Sequence, residues 1–141
     1  MPSFKVFDIA GSGLSAESVR LNTVASNLAN ADSVSGDPNK VYKARHPVFE
    51  AVRSQIAAGQ PNDGTGAAVR VRGIMESNAT PSARYEPGNP LANEEGYVYA
   101  PNVNVVEEMV DMISASRAYQ NNVEVMNTSK ELMLATLKLG S

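Results

Sequence analysis

The sequence predicts a mainly α protein with a small β part, with a long helix at each end and a short strand-and-loop module between them. Three observations carry that prediction. Apolar residues recur seven apart in the N-terminal segment and again, over a longer span, in the C-terminal segment; residues 103–139 contain neither Gly nor Pro; and between the two segments lie only short runs of β character.

In the N-terminal segment, Phe7, Leu14, Leu21 and Leu28 hold one heptad position, and Ala10, Val24 and Ala31 hold the complementary one, with Glu17 as the exception. Gly11 and Gly13 interrupt the first part of this stripe. Each costs about 1 kcal/mol against Ala in a helix interior, so residues 4–13 are expected to be poorly helical in isolation and to order on assembly. Asn27, Asn30 and Asp32 cluster where the stripe stops, and a Ser/Gly/Asp/Pro loop follows over residues 33–39, which puts the helix end near Ala31.

The middle reads as short strands. Pro47-Val-Phe-Glu-Ala-Val52 and Val69-Arg-Val-Arg-Gly-Ile74 are the clearest, the second with period-two alternation, and the Gly/Ala/Pro-rich stretch 57–68 separates them as a hairpin connection. Gly96-Tyr-Val-Tyr99 is a third extended piece. Strands this short are marginal alone, so the module is expected to lean on the helices or on a neighbour.

The C-terminal helix is expected over residues 103–139, begun by Pro101 and Asn102 and ended by Gly140. Val105, Met112, Tyr119, Met126 and Met133 form one heptad column; Met109, Ser116, Val123, Lys130 and Leu137 form the other. Glu107, Glu108 and Asp111 near its start and Lys138 near its end match the helix dipole. Such a helix is on the order of 50 Å long, more than a compact domain of this size can cover. Part of its stripe must find cover on a second long helix or on another chain.

Composition excludes several classes of function. The formal net charge is −3, with scattered Lys and Arg, so nothing attracts a phosphate backbone and no nucleic-acid partner is expected. The chain has no Cys and a single His, His46, which removes thiolate chemistry and Cys/His zinc sites. No apolar run is long enough to span a membrane, and the first residues lack a signal-peptide core. The chain is therefore expected to stay in the cytoplasm or to leave it by a route without a cleaved signal.

Patterns for catalysis are equally absent. His46 has no co-ligands and precedes Pro47, which favours an extended backbone; Glu94-Glu95 and Glu107-Glu108 are adjacent pairs suited to turn and dipole roles; Gly64-Thr-Gly66 lacks the lysine of a phosphate loop. No catalytic, cofactor or metal site is expected, and no enzymatic activity. The methionines at helical spacing read as packing residues, adaptable enough to suit slightly different neighbours.

Two stretches carry a family likeness. The run Ser15-Ala-Glu-Ser-Val-Arg-Leu-Asn-Thr-Val-Ala-Ser-Asn-Leu-Ala-Asn-Ala31 resembles the N-terminal signature of the bacterial flagellar rod and hook family. Tyr85-Glu-Pro-Gly-Asn-Pro90, Glu94-Glu-Gly-Tyr-Val98 and Pro101-Asn-Val-Asn-Val-Val-Glu-Glu-Met-Val-Asp-Met-Ile-Ser-Ala-Ser-Arg-Ala-Tyr-Gln-Asn-Asn-Val123 are similar to the C-terminal half of the same family, so the likeness covers nearly the whole chain. Relatives often carry His where Asn89 stands, so no charged or metal role is transferred to it.

The resemblance implies a structural subunit of the proximal rod, polymerised with other proximal and distal rod subunits and with copies of itself into the drive shaft that carries torque from motor to hook. It implies export through the flagellar type III apparatus without a cleaved signal, and a place in the basal body where the rod crosses the periplasm. It implies that residues 1–31 and 103–141 pair as a coiled-coil-like inner layer while 32–102 form a small outer module. Leu14, Leu21, Val24, Leu28, Met109, Met112, Tyr119, Val123, Met126 and Met133 would then pack within and between subunits, and Asn27, Asn30, Arg117 and Asn122 would make polar contacts between them. A soluble helical adaptor or export chaperone, offering the Met stripe to client helices, is the alternative on the residues alone.

Overall fold

The computed structural model describes residues 2–52 and 66–139. Helix α1 spans Pro2–Ala29; strands β1 (Arg45–Val52) and β2 (Ala68–Glu76) form one antiparallel pair; β3 (Ser82–Tyr85) and β4 (Tyr97–Ala100) form a second; helix α2 spans Val105–Leu139. The architecture is mainly α with a small two-sheet β part between the helices, as the heptads and short runs predict. β3 is an addition to the predicted strands. Its four residues between prolines 81 and 87 carry no periodicity, and it exists because β4 offers it a full ladder from Ser82–Ala100 to Tyr85–Tyr97. Most of the predicted connection over 57–68, Gly64 included, lies outside the described residues.

The helices are antiparallel. Asn27 meets Glu108, Arg20 meets Asp111, and Gly13 lies against Asn122, so residue numbers fall along α1 as they rise along α2. Counting back about eleven residues from Gly13 brings Pro2 level with about Met133, so the last turns of α2 run past the start of α1.

Both predicted helix boundaries shift by about two residues. Asn104, rather than Asn102, caps α2: its Oδ1 accepts from the N–H groups of Val106 (3.1 Å) and Glu107 (3.5 Å). Asn30 ends α1, its side-chain amide donating back to the Ser26 carbonyl at 2.8 Å while its own N–H reaches the Ser26 and Asn27 carbonyls. Within the folded chain α1 runs unbroken through both glycines of the 4–13 stretch. Tertiary contact overrides propensity there. A Cβ on Gly13 would stand 2.8 Å from the Asn122 amide nitrogen, so this glycine is the site of close helix approach.

α1 also supports the β module. β1 and β2 pack along it, pinned at two points. Ser12 Oγ accepts from the Val69 N–H at 3.0 Å, and the Asn27 side chain bonds both the N–H and the carbonyl of Arg45. The first helix is thus buried on more than one side, with Ala10, Ala16, Thr23, Val24 and Asn27 all enclosed. β4 lies between β3 and a bridge to Ser35, and its Val98 and Ala100 are buried, as are Val41 and Ala44 in the chain leading to β1. The turn before β4 is set by Asn93, whose Oδ1 accepts from Glu95 and Tyr97, and by Gly96 at φ 81°, a left-handed backbone that a side chain would strain.

Candidate functional site in the helix pair

The seam of α2 that faces α1 is built from two columns. The first is the predicted one in part: Met112, Met126 and Met133 are half-buried, whereas Val105 and Tyr119 of the same column are exposed. The second is displaced by one residue from the prediction. Glu108, Ala115, Asn122 and Ser129 are the residues turned inward, whereas Met109, Val123 and Leu137 are exposed. The hydrophobic pattern misleads here because the true column consists of small and polar side chains, and the neighbouring apolar column faces outward.

At the top of the seam sits a polar joint. Asn27 is completely buried. Its Nδ2 donates to the Arg45 carbonyl at 2.8 Å and to Glu108 Oε1 at 2.9 Å. Its Oδ1 accepts from the Arg45 N–H and from the Tyr42 hydroxyl, both at 2.9 Å. All four hydrogen-bonding positions of the amide are used inside the chain. Because Tyr42 gives its proton to Asn27, Ser26 is the donor in the 3.2 Å contact between the two hydroxyls. The Arg45 guanidinium lies 5.5 Å from the Tyr42 ring centroid and bonds Glu76 across the hairpin at 3.2 Å.

Glu108 is only 4% exposed, and one of its oxygens, Oε2, has no hydrogen-bond partner among the described residues. A buried carboxylate with one hydrogen bond is costly, and its place in the first turns of α2 offsets part of that cost through the helix dipole. A second joint lies close by in sequence. Asn102 accepts from the Ala44 N–H at 2.7 Å and donates to the carbonyls of Ala79 (2.8 Å) and Ser77 (3.3 Å). It binds the chain entering β1 to the chain leaving β2, two residues before the α2 cap. Lower on the seam, Arg20 Nη2 reaches Asp111 Oδ1 at 2.9 Å; Asp111 is nearly half exposed, so the pair contributes little.

The predicted surface residues divide accordingly. Val24 and Asn27 are wholly enclosed within the chain, and Leu14, Leu21, Leu28, Met112, Asn122, Met126 and Met133 are half-buried along the pair. Asn30 acts as the α1 cap. Met109, Arg117, Tyr119 and Val123 face outward, and Arg117 has no ion pair among the described residues. Sequence reasoning gave Glu108 only a dipole role and Asn102 only a helix-start role, and it passed over Tyr42. The one available signal was that Glu108, Ala115, Asn122 and Ser129 are themselves spaced by seven.

The outer side of α2 is uncovered. In its first turns Val106, Met109, Val110 and Ile113, spaced at i, i+3, i+4 and i+7, are each more than half exposed. At its far end Leu132, Leu134, Leu137 and Leu139 are exposed, the last two at 70% and 88%. His46, on β1 opposite Met75, is exposed too. Among the described residues no group of three or more His, Cys, Asp and Glu side chains is placed to hold a metal ion, and no helix is long and apolar enough to cross a membrane.

Comparison with known proteins places these features. Residues 7–36 match the family described as flagella basal body rod protein, and residues 94–139 match the C-terminal domain described for the flagellar basal body rod FlgEFG proteins. The chain is 53% identical over 140 residues to the flagellar basal-body rod protein FlgC of Salmonella typhimurium, an alignment covering 99% of both chains. It is 55% identical to FlgC of Yersinia enterocolitica, again over 99% of both, and 41% identical to FlgC of Aquifex aeolicus over 98% of this chain and 97% of that one. The two matched segments contain most of α1 with Asn27 and the whole of α2 with its cap and uncovered face, and with identities of 53–55% over 99% of both chains the chain belongs to the FlgC family of flagellar basal-body rod proteins.

Proposed function

We propose that the α1–α2 pair of this chain forms the inner layer of a polymer, built with copies of itself and with other rod proteins, and that the β module rides on its outer side. As a FlgC-family rod protein, the chain is a structural subunit of the flagellar basal body. The proposal adds that residues 1–31 with 103–141 are the packing layer, that 32–102 are the outer module, and that the polymer is the periplasmic shaft carrying torque from motor to hook. Export through the type III apparatus without a cleaved signal, and the absence of any enzymatic role, belong to the same reading.

The observation that supports it best is the uncovered apolar surface of α2. Val106, Met109, Val110 and Ile113 in its first turns are each more than half exposed, and so are Leu132, Leu137 and Leu139 at its far end. Exposed apolar rows at both ends of one helix are what a subunit completed by its neighbours presents. Met109, Val123 and Leu137 point to those neighbours directly, whereas Met112 and Met126 act through the pair itself.

The absence of native cysteine makes the test clean. Single cysteines placed at Met109, Val123 and Leu137 are expected to crosslink to other axial subunits in intact basal bodies, while a cysteine at exposed Ser18 on α1 serves as the control. Motile cells whose Met109 and Leu137 cysteines crosslink to no axial protein would overturn the reading.

A further inference from the structure

Asn27 contacts two parts of the molecule that could otherwise move independently. Through Nδ2 it holds α2 at Glu108; through Nδ2 and Oδ1 together it holds the first residue of β1, and through Oδ1 it also holds Tyr42 in the approach to that strand. An amide this deeply buried cannot lose one partner without leaving a donor or acceptor unsatisfied, which makes the bonds mutually dependent. Asn102 reinforces the same place by tying residues 44, 77 and 79 together just ahead of the α2 cap.

We propose that Asn27 is a positioning residue that sets the angle of the β1–β2 hairpin on the paired helices, bonding α2 and the hairpin through one buried amide. Its service to a load-carrying subunit rests on the rod reading above; the coupling itself is a property of the single chain. Glu108 is the α2 side of the device. Its unpartnered Oε2 leaves room to exchange donor and acceptor between the two residues: in the N27D/E108Q pair the amide moves to position 108, where Nε2 can donate to the new carboxylate, whose other oxygen still accepts from Arg45 and Tyr42, while the Arg45 carbonyl that Nδ2 held at 2.8 Å stays without its donor.

The test uses spin labels on introduced cysteines of the purified full chain. One pair, at Ser18 and Arg72, reads α1 against the hairpin; a second, at Ser18 and Gln120, reads α1 against α2. N27D, which opposes two carboxylates, is expected to broaden the Ser18–Arg72 distance distribution about twofold while the helix pair stays narrow. E108Q keeps the acceptor for Asn27 and is expected to leave both narrow, and N27D/E108Q, which relieves the opposed carboxylates but not the Arg45 carbonyl, is expected to reverse part of the N27D broadening. Equal broadening of both label pairs would show a general core contact and overturn the proposal, as would an N27D/E108Q variant no narrower than N27D. In cells, the swim ring should shrink in N27D and recover in part in N27D/E108Q while the Met109 crosslinks persist. Loss of those crosslinks in the unsubstituted background counts against the rod reading; their persistence with an unchanged N27D swim ring counts against this one.

Discussion

The two ends of α2 are finished in opposite ways. The inner side of its N-terminal end is closed by the chain itself: Asn104 caps it, and Glu108 is buried against an asparagine whose four bonds are all met. Its C-terminal end runs past α1 with Leu132, Leu134, Leu137 and Leu139 exposed. Polar groups are costly to leave unsatisfied when buried, so a joint built from them is completed within the subunit; apolar area is non-directional and can wait for whichever neighbour covers it. One helix therefore carries an end fixed on its inner side, with an apolar row still open on its outer side, and an end left wholly for assembly.

The sharpest way to break this contrast is at the fixed end. N27A leaves the Arg45 N–H, the Arg45 carbonyl and Tyr42 without their shared partner, and urea unfolding of the purified chain should show a loss of about 3 kcal/mol or more. Midway along the pair, Gly13→Leu drives a side chain into Asn122 and should cost about 2 kcal/mol by the same measurement. Gly11, where an added Cβ meets nothing within 4 Å, provides the opposite sign: G11A should stabilise by about 0.5–1 kcal/mol through the helix backbone alone. A double-mutant cycle on Arg20 and Asp111 should return a coupling of about 0.5 kcal/mol that shrinks in high salt. Smallest in the isolated chain is the open end, where L134Q and L137Q should change stability by less than about 0.5 kcal/mol yet reduce the swim ring. A large stability loss from either leucine change would show that this end is already core, and the contrast would fail.

Much of this was legible in the sequence, but unevenly. The helices were visible because 3.6-residue periodicity over long spans is a strong signal, and the Gly/Pro-free run 103–139 left no alternative. β3 was not visible, because four residues without alternation become a strand only through a partner. The seam was half legible. The Met112, Met126 and Met133 column was found, but its companion was sought among Met109, Ser116, Val123, Lys130 and Leu137, when Glu108, Ala115, Asn122 and Ser129 occupy it.

That error marks the division between the two kinds of information. The sequence by itself determined where helices form and that their apolar surface exceeds what one chain can hide, since both follow from local periodicity and length. Only the tertiary structure decided which column turns inward beside Met112, Met126 and Met133. Close approach at Gly13 and the hydrogen bonds of Asn27 favour small and polar residues on the inside, and those are three-dimensional constraints that hydrophobicity along a chain does not encode.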